Sequence, residues 1–197
     1  MQDKQFDKYK TILRSKLNEN RYNHSLCVAN EAKRLAIKYG GDPEKCYLAG
    51  LLHDITKNAP DNEHLKLFET FDIILNDIEK NAKKLWHAMS GAVYLENILG
   101  IKDAELLDAV RYHTTAKAGM SLTAKILYLA DFTSADRDYE DVDEMRRLVD
   151  ISLEKALVYA LEYSIIDLIR HSRAVHPDTF EAYNETVLKL EEPNGIF

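Results

Sequence analysis

Three features of this 197-residue chain predict an all-α fold. Apolar residues recur at three- and four-residue steps almost throughout, the period of an amphipathic helix. Turn-formers are scarce: 7 Gly and 4 Pro, 11 residues of 197, against roughly 12% in average usage. That scarcity rules out collagen-like and low-complexity chains and disfavours a many-stranded sandwich or barrel. Hydrophobic residues make up 46% of the chain, enough to bury one sizeable core. No repeat or linker-like stretch divides it, so one helical bundle of about eight to ten helices over residues 1–197 is expected.

The elements follow in order. Over residues 21–39 His24, Val28, Leu35 and Tyr39 share a face, with Ala32 beside it, and Gly40-Gly41 stops the helix. Asp42 as N-cap and Pro43 at the first helical position open the next, running through Leu48, Ala49, Leu52 and Ile55 until Asn58-Ala59-Pro60. A short helix is expected near 63–70 and a helical stretch over 72–83. Residues 85–99 stack His87, Gly91, Tyr94 and Ile98. Asp103 caps a helix that aligns Leu106, Val110 and His113, and Gly119 breaks it. Ser121 caps another, carrying Ala124, Leu127, Tyr128 and Asp131 on one side. SADRDYEDV (134–142) reads as a charged loop, with the acidic run YEDVDE solvated or opening the following helix. Residues 142–172 make one long helix or two, His176-Pro177 turns the chain, and a last helix runs to about 190.

Charge and composition exclude several function classes. With 26 basic and 33 acidic residues the net charge is −7, which argues against a nucleic-acid polymer held on a basic surface. A small anion in a local basic pocket stays open. No apolar run approaches the roughly 18 residues that span a bilayer, and the polar start MQDKQFDKYK is unlike the apolar segment of a secretory signal. Cys27 and Cys46 make no disulfide framework; reduced packing residues in a cytoplasmic protein are expected.

Polar residues interrupt the apolar faces at His24, His53-Asp54, His87, His113 and Asp131. Burying such groups is costly unless they are paired. A single one is usually a satisfied core residue, and a His-Asp dipeptide alone says little. Six of them on the inward faces of five different helices could converge, as metal sites do in helical bundles. Four His and two Asp suit iron, manganese, cobalt, nickel or zinc better than magnesium or calcium. No cysteine joins them, against a structural zinc finger or iron–sulfur cluster. His64 sits among polar neighbours and reads as a surface residue.

RYNHS (21–25), LAGLLHDITK (48–57), LWHAMSGA (85–92), AVRYHTTAKAGMS (109–121) and KILYLADFTSADR (125–137) resemble the HD superfamily of metal-dependent phosphohydrolases. The order H…HD…H…H…D is complete. HTT at the fourth histidine, the following Met-Ser and the ADxxxxxR ending are similar to the YqeK-type symmetrical bis(5′-nucleosyl)-tetraphosphatases, and the likeness extends to HPDT (176–179). The chain departs from that pattern at Ala88 and Ala116, where glycine is usual, and in having SADR for EPxR.

The resemblance implies a single HD domain with its motif core over about 21–137 and helices of 142–190 packed onto it. It implies that His24, His53, Asp54 and Asp131 hold a transition metal, iron first, with manganese, cobalt or nickel as alternatives. His87 and His113 would complete a second metal position, with Asp54 bridging, or bond the substrate phosphates directly; one or two ions both stay open. Asp54, Lys57, His87 and His113 form the catalytic set, Asp54 as ligand and proton acceptor. Lys57, on the face of Asp54, is a point charge for phosphate. Arg21, three residues before His24, and Arg137, six after Asp131, reach phosphate at the rim, as His24, His87 and His113 do from within. In IRHSRAVHPDTF, Arg173 and His176 close over a nucleotide, or the stretch is an ordinary helix C-terminus.

The implied reaction is symmetrical hydrolysis of diadenosine tetraphosphate and related dinucleoside polyphosphates to two nucleoside diphosphates. A nucleoside 5′-monophosphatase would need the same ligands. A sensing module that binds nucleotide without turnover is disfavoured by retention of all six. HDITKN lacks the acidic residues of guanosine tetraphosphate hydrolases, and no GYP element marks a cyclic-dinucleotide phosphodiesterase. A homodimer is left open.

Overall fold

The structure, a computed structural model, describes residues 4–191. Among them lie eleven α-helices and one 3-10 turn: α1 (Lys4–Lys16), α2 (Glu19–Tyr39), α3 (Pro43–Leu52), α4 (Asp61–Thr70), α5 (Asp77–Asn81), the 3-10 turn Lys83–Leu85, α6 (Trp86–Asn97), α7 (Ala104–Tyr112), α8 (Leu122–Thr133), α9 (Val142–Ile151), α10 (Leu153–Arg170) and α11 (Pro177–Glu191). No strand occurs among the described residues, and no helix is long and apolar enough to cross a membrane. The all-α expectation holds, with one helix more than the upper count.

The caps act as the sequence indicates. Gly40 ends α2 with φ 75°, a left-handed backbone that costs glycine nothing. Asp42 accepts from the backbone N–H groups of Glu44 and Lys45, and Asp103 and Ser121 each cap from the expected position. One expectation needs correction, the helical stretch over 72–83, and two points left open by the sequence are filled. A helix, α1, precedes residue 21; its sequence is polar, and it docks through Leu13, which is fully buried. The stretch 72–83 is mostly not helical. Asp72 takes φ 53°, and Asn76 starts the five-residue α5 with a reciprocal capping box to Glu79. Residues 142–172 are two helices, broken where Ser152 turns extended (φ −156°) and caps α10.

Small residues set the packing. α2 presents Ala29, Ala32 and Ala36 to the core and α3 presents Ala49 and Gly50; α8, with Leu127 and Ala130 buried, packs on both, and α10, with Ala156 and Leu157 buried, packs on α8. α2 packs on α3 and α8, and α3 on α7 and α8. At Gly50 a Cβ would meet the backbone of Ala29 at 2.8 Å, so only glycine allows this approach of α3 to α2. Both cysteines are free; Cys46 is buried and Cys27 half-buried.

Two helices end sooner than their apolar stripes suggest. α3 stops at Leu52, and residues 53–59 tighten into turns, with Ile55 N–H on Leu52 O at 3.1 Å and Lys57 N–H on Asp54 O at 2.8 Å. α7 stops at Tyr112. His53 and His113 are therefore each the first residue past a helix.

Candidate metal centre

Five elements bring the six polar residues together. His24 comes from α2, His53 and Asp54 from the turn after α3, His87 from the first turn of α6, His113 from the end of α7 and Asp131 from α8. The four histidines and Asp54 are each at most 4% exposed. Ring centroids lie 5.3 Å apart for His24 and His53, 5.0 Å for His53 and His113, and 5.0 Å for His87 and His113. His24 Nε2 is 2.9 Å from Asp131 Oδ1, and His87 Nε2 is 3.0 Å from Asp54 Oδ1.

Outer partners fix the tautomers. Nδ1 of His53 donates to Gly50 O at 2.7 Å, and Nδ1 of His113 to Val110 O at 2.7 Å. Nδ1 of His24 lies 2.7 Å from Asp136 Oδ2. These acceptors carry no hydrogen, so each Nδ1 bears the proton and each Nε2 lone pair points inward. Metal-ligating histidines are held in this way.

The inward atoms lack partners of acceptable geometry: His24 Nε2, His53 Nε2 and Asp54 Oδ1 are buried and without a hydrogen bond. Buried polar atoms are rarely left so. Ligand atoms of His24, His53 and Asp131 lie within 4.8 Å of one another, as do those of His53, Asp54 and His113. Each group could hold a metal ion, and imidazole nitrogen with carboxylate oxygen fits a divalent transition metal.

The electrostatics agree with that use. Burial opposes charge on Asp54, but the facing imidazoles of His53, His113 and His87 outweigh it and hold the carboxyl well below its ordinary value. Asp131 is likewise held low against burial by His24 and Arg137. Burial, with His113 and Lys57 close by, pushes His87 down to about 4 despite the neighbouring Asp54 carboxylate, so its ring is neutral at pH 7.

Three cations reach the centre. Arg21 Nη1 is 2.8 Å from Asp54 Oδ2, Lys57 Nζ is 3.7 Å from Asp54 Oδ1 and 3.1 Å from His87 Nε2, and Arg137 pairs with Asp131 Oδ1 while donating through Nε to Asp131 O at 2.6 Å. Arg21, Lys57 and Arg137, with His24, Asn58 and Asp136, line a pocket of about 420 Å³. Arg173 and His176 line a different, larger cavity of about 790 Å³, beside Thr114, Thr115, Lys84 and Leu168. His176 is 3.2 Å from Asn76 Nδ2, and Thr179 just beyond it donates to Thr115 O at 2.8 Å, tying α11 to the turn after His113.

His64 is a correction. It is buried, not on the surface: its ring packs near Phe68 and Trp86, and Nδ1 lies 2.7 Å from Ser90 Oγ. Ser90 Oγ is 2.9 Å from Thr56 Oγ1, which donates to His87 O at 2.9 Å. The terminal carbonyl sets the direction, because the chain uses each hydrogen once only if His64 donates to Ser90 and Ser90 to Thr56. The turn carrying His53 and Asp54 is thereby bonded to the helix carrying His87. Asp136 also has no place in the sequence reading; it lies in a charged loop where no periodicity singles it out. Ala88 is an ordinary helical residue of α6, whereas Ala116 has φ 57° in the turn after His113.

Residues 21–136 match the HD domain, the span that carries all six converging residues. The chain belongs to the HD-domain family. It is 34% identical over 172 residues to "Bis(5'-nucleosyl)-tetraphosphatase, symmetrical" of Bacillus subtilis, covering 87% of this chain and 92% of that protein. A Staphylococcus aureus protein of the same name is 33% identical over 90% of this chain and 92% of its own length. Among solved structures, a predicted HD superfamily hydrolase involved in NAD metabolism from Clostridium acetobutylicum is similar with a TM-score of 0.90 and 35% identity, over 93% of this chain and 97% of that one. The matched span includes the His53-Asp54 dipeptide, in the turn that follows α3.

Proposed function

We propose that this HD-domain protein hydrolyses dinucleoside tetraphosphates symmetrically to two nucleoside diphosphates. The observation that carries the reading is the convergence of His24, His53, Asp54, His113 and Asp131 in two ligand groups beside a pocket lined by three cations, in a chain with relatives of that name over most of its length.

His24, His53, Asp54 and Asp131 would hold the metal, with His87 and His113 at a second position or on phosphate oxygen. A divalent transition metal held by these residues would make water a better nucleophile at neutral pH and would draw charge from the phosphoryl oxygens. The protein's own groups do the rest. Lys57, Arg21 and Arg137 bind the phosphates in the smaller pocket as fixed positive charges. With Nδ1 of His113 committed to Val110, the hydrogen between the two Nε2 atoms, 3.1 Å apart, belongs to His87. Neutral His87 has only that one N–H, so it reaches a phosphoryl oxygen only by turning the hydrogen away from His113, and it delivers no proton. None is needed, because a phosphate monoester's second pKa is about 6 and the departing diphosphate oxygen is stable as an anion. Arg173 and Thr114 in the 790 Å³ cavity receive a nucleoside, with His176 in its wall.

The stoichiometry is one water for one substrate. The central P–O–P bridge breaks, its oxygen leaves on one ADP, and the water oxygen stays on the other. Short incubation of the metal-loaded protein with diadenosine tetraphosphate, followed by chromatography, should show ADP alone. ATP with AMP at early times would refute symmetrical cleavage. Inorganic phosphate released only from nucleoside monophosphates would favour a nucleotidase.

A further inference from the structure

The three inward imidazoles are not equivalent. His53 and His113 lean on neutral main-chain carbonyls, while His24 leans on the carboxylate of Asp136. We propose that Asp136 is a positioning residue for the metal centre, fixing the ring of His24 and making its Nε2 the strongest electron donor of the three. The inference rests on the metal centre proposed above.

Several contacts argue for a built arrangement. Asp136 is itself oriented, since Ser134 Oγ donates to Asp136 Oδ1 at 2.8 Å and Ser134 is fully buried. Ser134 caps α8, with its N–H on Ala130 O at 2.9 Å. The end of one helix thus supplies both carboxylates that bracket His24, Asp131 facing Nε2 at 2.9 Å and Asp136 facing Nδ1 at 2.7 Å. Because it meets the opposite ring edge, Asp136 cannot share an ion with Nε2, which separates it from the ligand groups. Hydrogen bonds to an ionised acceptor are roughly twice as strong as neutral ones. A carboxylate behind a ligating histidine fixes its tautomer and raises its basicity, and losing such a partner typically costs about 10–100-fold in metal affinity. The carbonyls behind His53 and His113 fix tautomers equally well but bring no full charge. Cys27, one turn along α2 from His24, also faces Asp136: burial, then that carboxylate, pushes its thiol up, so it stays protonated and is a second, weaker donor to Asp136.

Cobalt(II) binding to the metal-free protein, followed by visible absorption and chelator competition, tests this without reference to turnover. Asp136→Asn keeps an oxygen able to accept from Nδ1 but removes the charge; Asp136→Ala removes both. The cobalt Kd should rise about 10-fold in Asp136→Asn and up to about 100-fold in Asp136→Ala, with the far-UV circular dichroism and urea midpoint of metal-free Asp136→Asn close to wild type. Ser134→Ala should give a smaller change of the same sign. An Asp136→Asn protein that binds cobalt within twofold of wild type overturns the inference, whatever Asp136→Ala does. Wild-type protein that binds no cobalt overturns the metal centre itself, and the role of Asp136 with it.

Discussion

His53 and His113 solve one local problem in the same way. Each is the first residue past its helix, and each donates Nδ1–H at 2.7 Å to the carbonyl three residues back, Gly50 O or Val110 O. The last carbonyls of a helix have no intrahelical partner. Here the side chain of the adjoining histidine satisfies one of them and is oriented in return. The two rings then meet edge-on at 5.0 Å over Asp54.

Gly50 ties that geometry to the fold. In Gly50→Ala the added Cβ would press on Ala29 backbone at 2.8 Å, which forces α3 from α2 and His53 from His24. The expected cost is about 1–3 kcal/mol, read as a lower urea midpoint, together with weakened metal binding. An unchanged midpoint would contradict the tight approach.

Asp54 faces His53, His87 and His113 and pairs with Arg21. Asp54→Ala should lose both metal, by elemental analysis, and hydrolysis, while circular dichroism keeps its helical signal. Full turnover in that variant would show the centre to be wrongly assigned.

Lys57 should act on phosphate and not on metal. Replacing it with Ala should lower kcat/KM by about 100-fold, the scale for removing one transition-state charge partner, at unchanged metal content. Loss of metal from Lys57→Ala would break this division of labour.

His64 gives a pH signature away from the centre. Burial, working against the Ala59 carbonyl and nearby acids, holds its pKa below the ordinary 6.5. The unfolded chain therefore takes up the proton first as pH falls. Its contribution to stability is complete above about 6.5 and declines from there towards the lower folded-state value. Asn places an amide N–H near the Nδ1 position and does not titrate. Urea midpoints of His64→Asn between pH 7.5 and 5 should fall less steeply than those of wild type; parallel slopes would rule the assignment out.

The constellation was legible because charge on an apolar stripe is expensive. His24, His87 and Asp131 each interrupt a run of core residues, and only convergence explains three such interruptions. The missed residues gave no such contrast. In α4 the helical step Leu65–Phe68 suggests one buried face, yet His64 and Phe68 are buried and Leu65 is 48% exposed. The inward face is chosen by Ser90 and Trp86, which lie more than twenty residues away. Asp136 stands with Asp138 and Asp141 in a loop, and only the folded position of His24 distinguishes it. The ends of α3 and α7 were placed late for a related reason: the apolar period continues through Ile55 and His113 although the backbone tightens before them.

The turn after His113 behaves like a loaded spring. Ala116 holds a left-handed φ of 57°, which costs an L-residue roughly 1–2 kcal/mol; within the turn its N–H donates to Tyr112 O at 2.8 Å and its carbonyl accepts from Thr115 Oγ1 at 2.9 Å. Thr179, at the start of α11, is bonded to Thr115 O next door, so the final helix is a further catch on that spring. A chain cut before Pro177 would retain every candidate metal ligand and yet lose its hold on the residue pair that follows His113. Damage to the C-terminus would then be felt as a loosened fourth histidine, with the other three still in register.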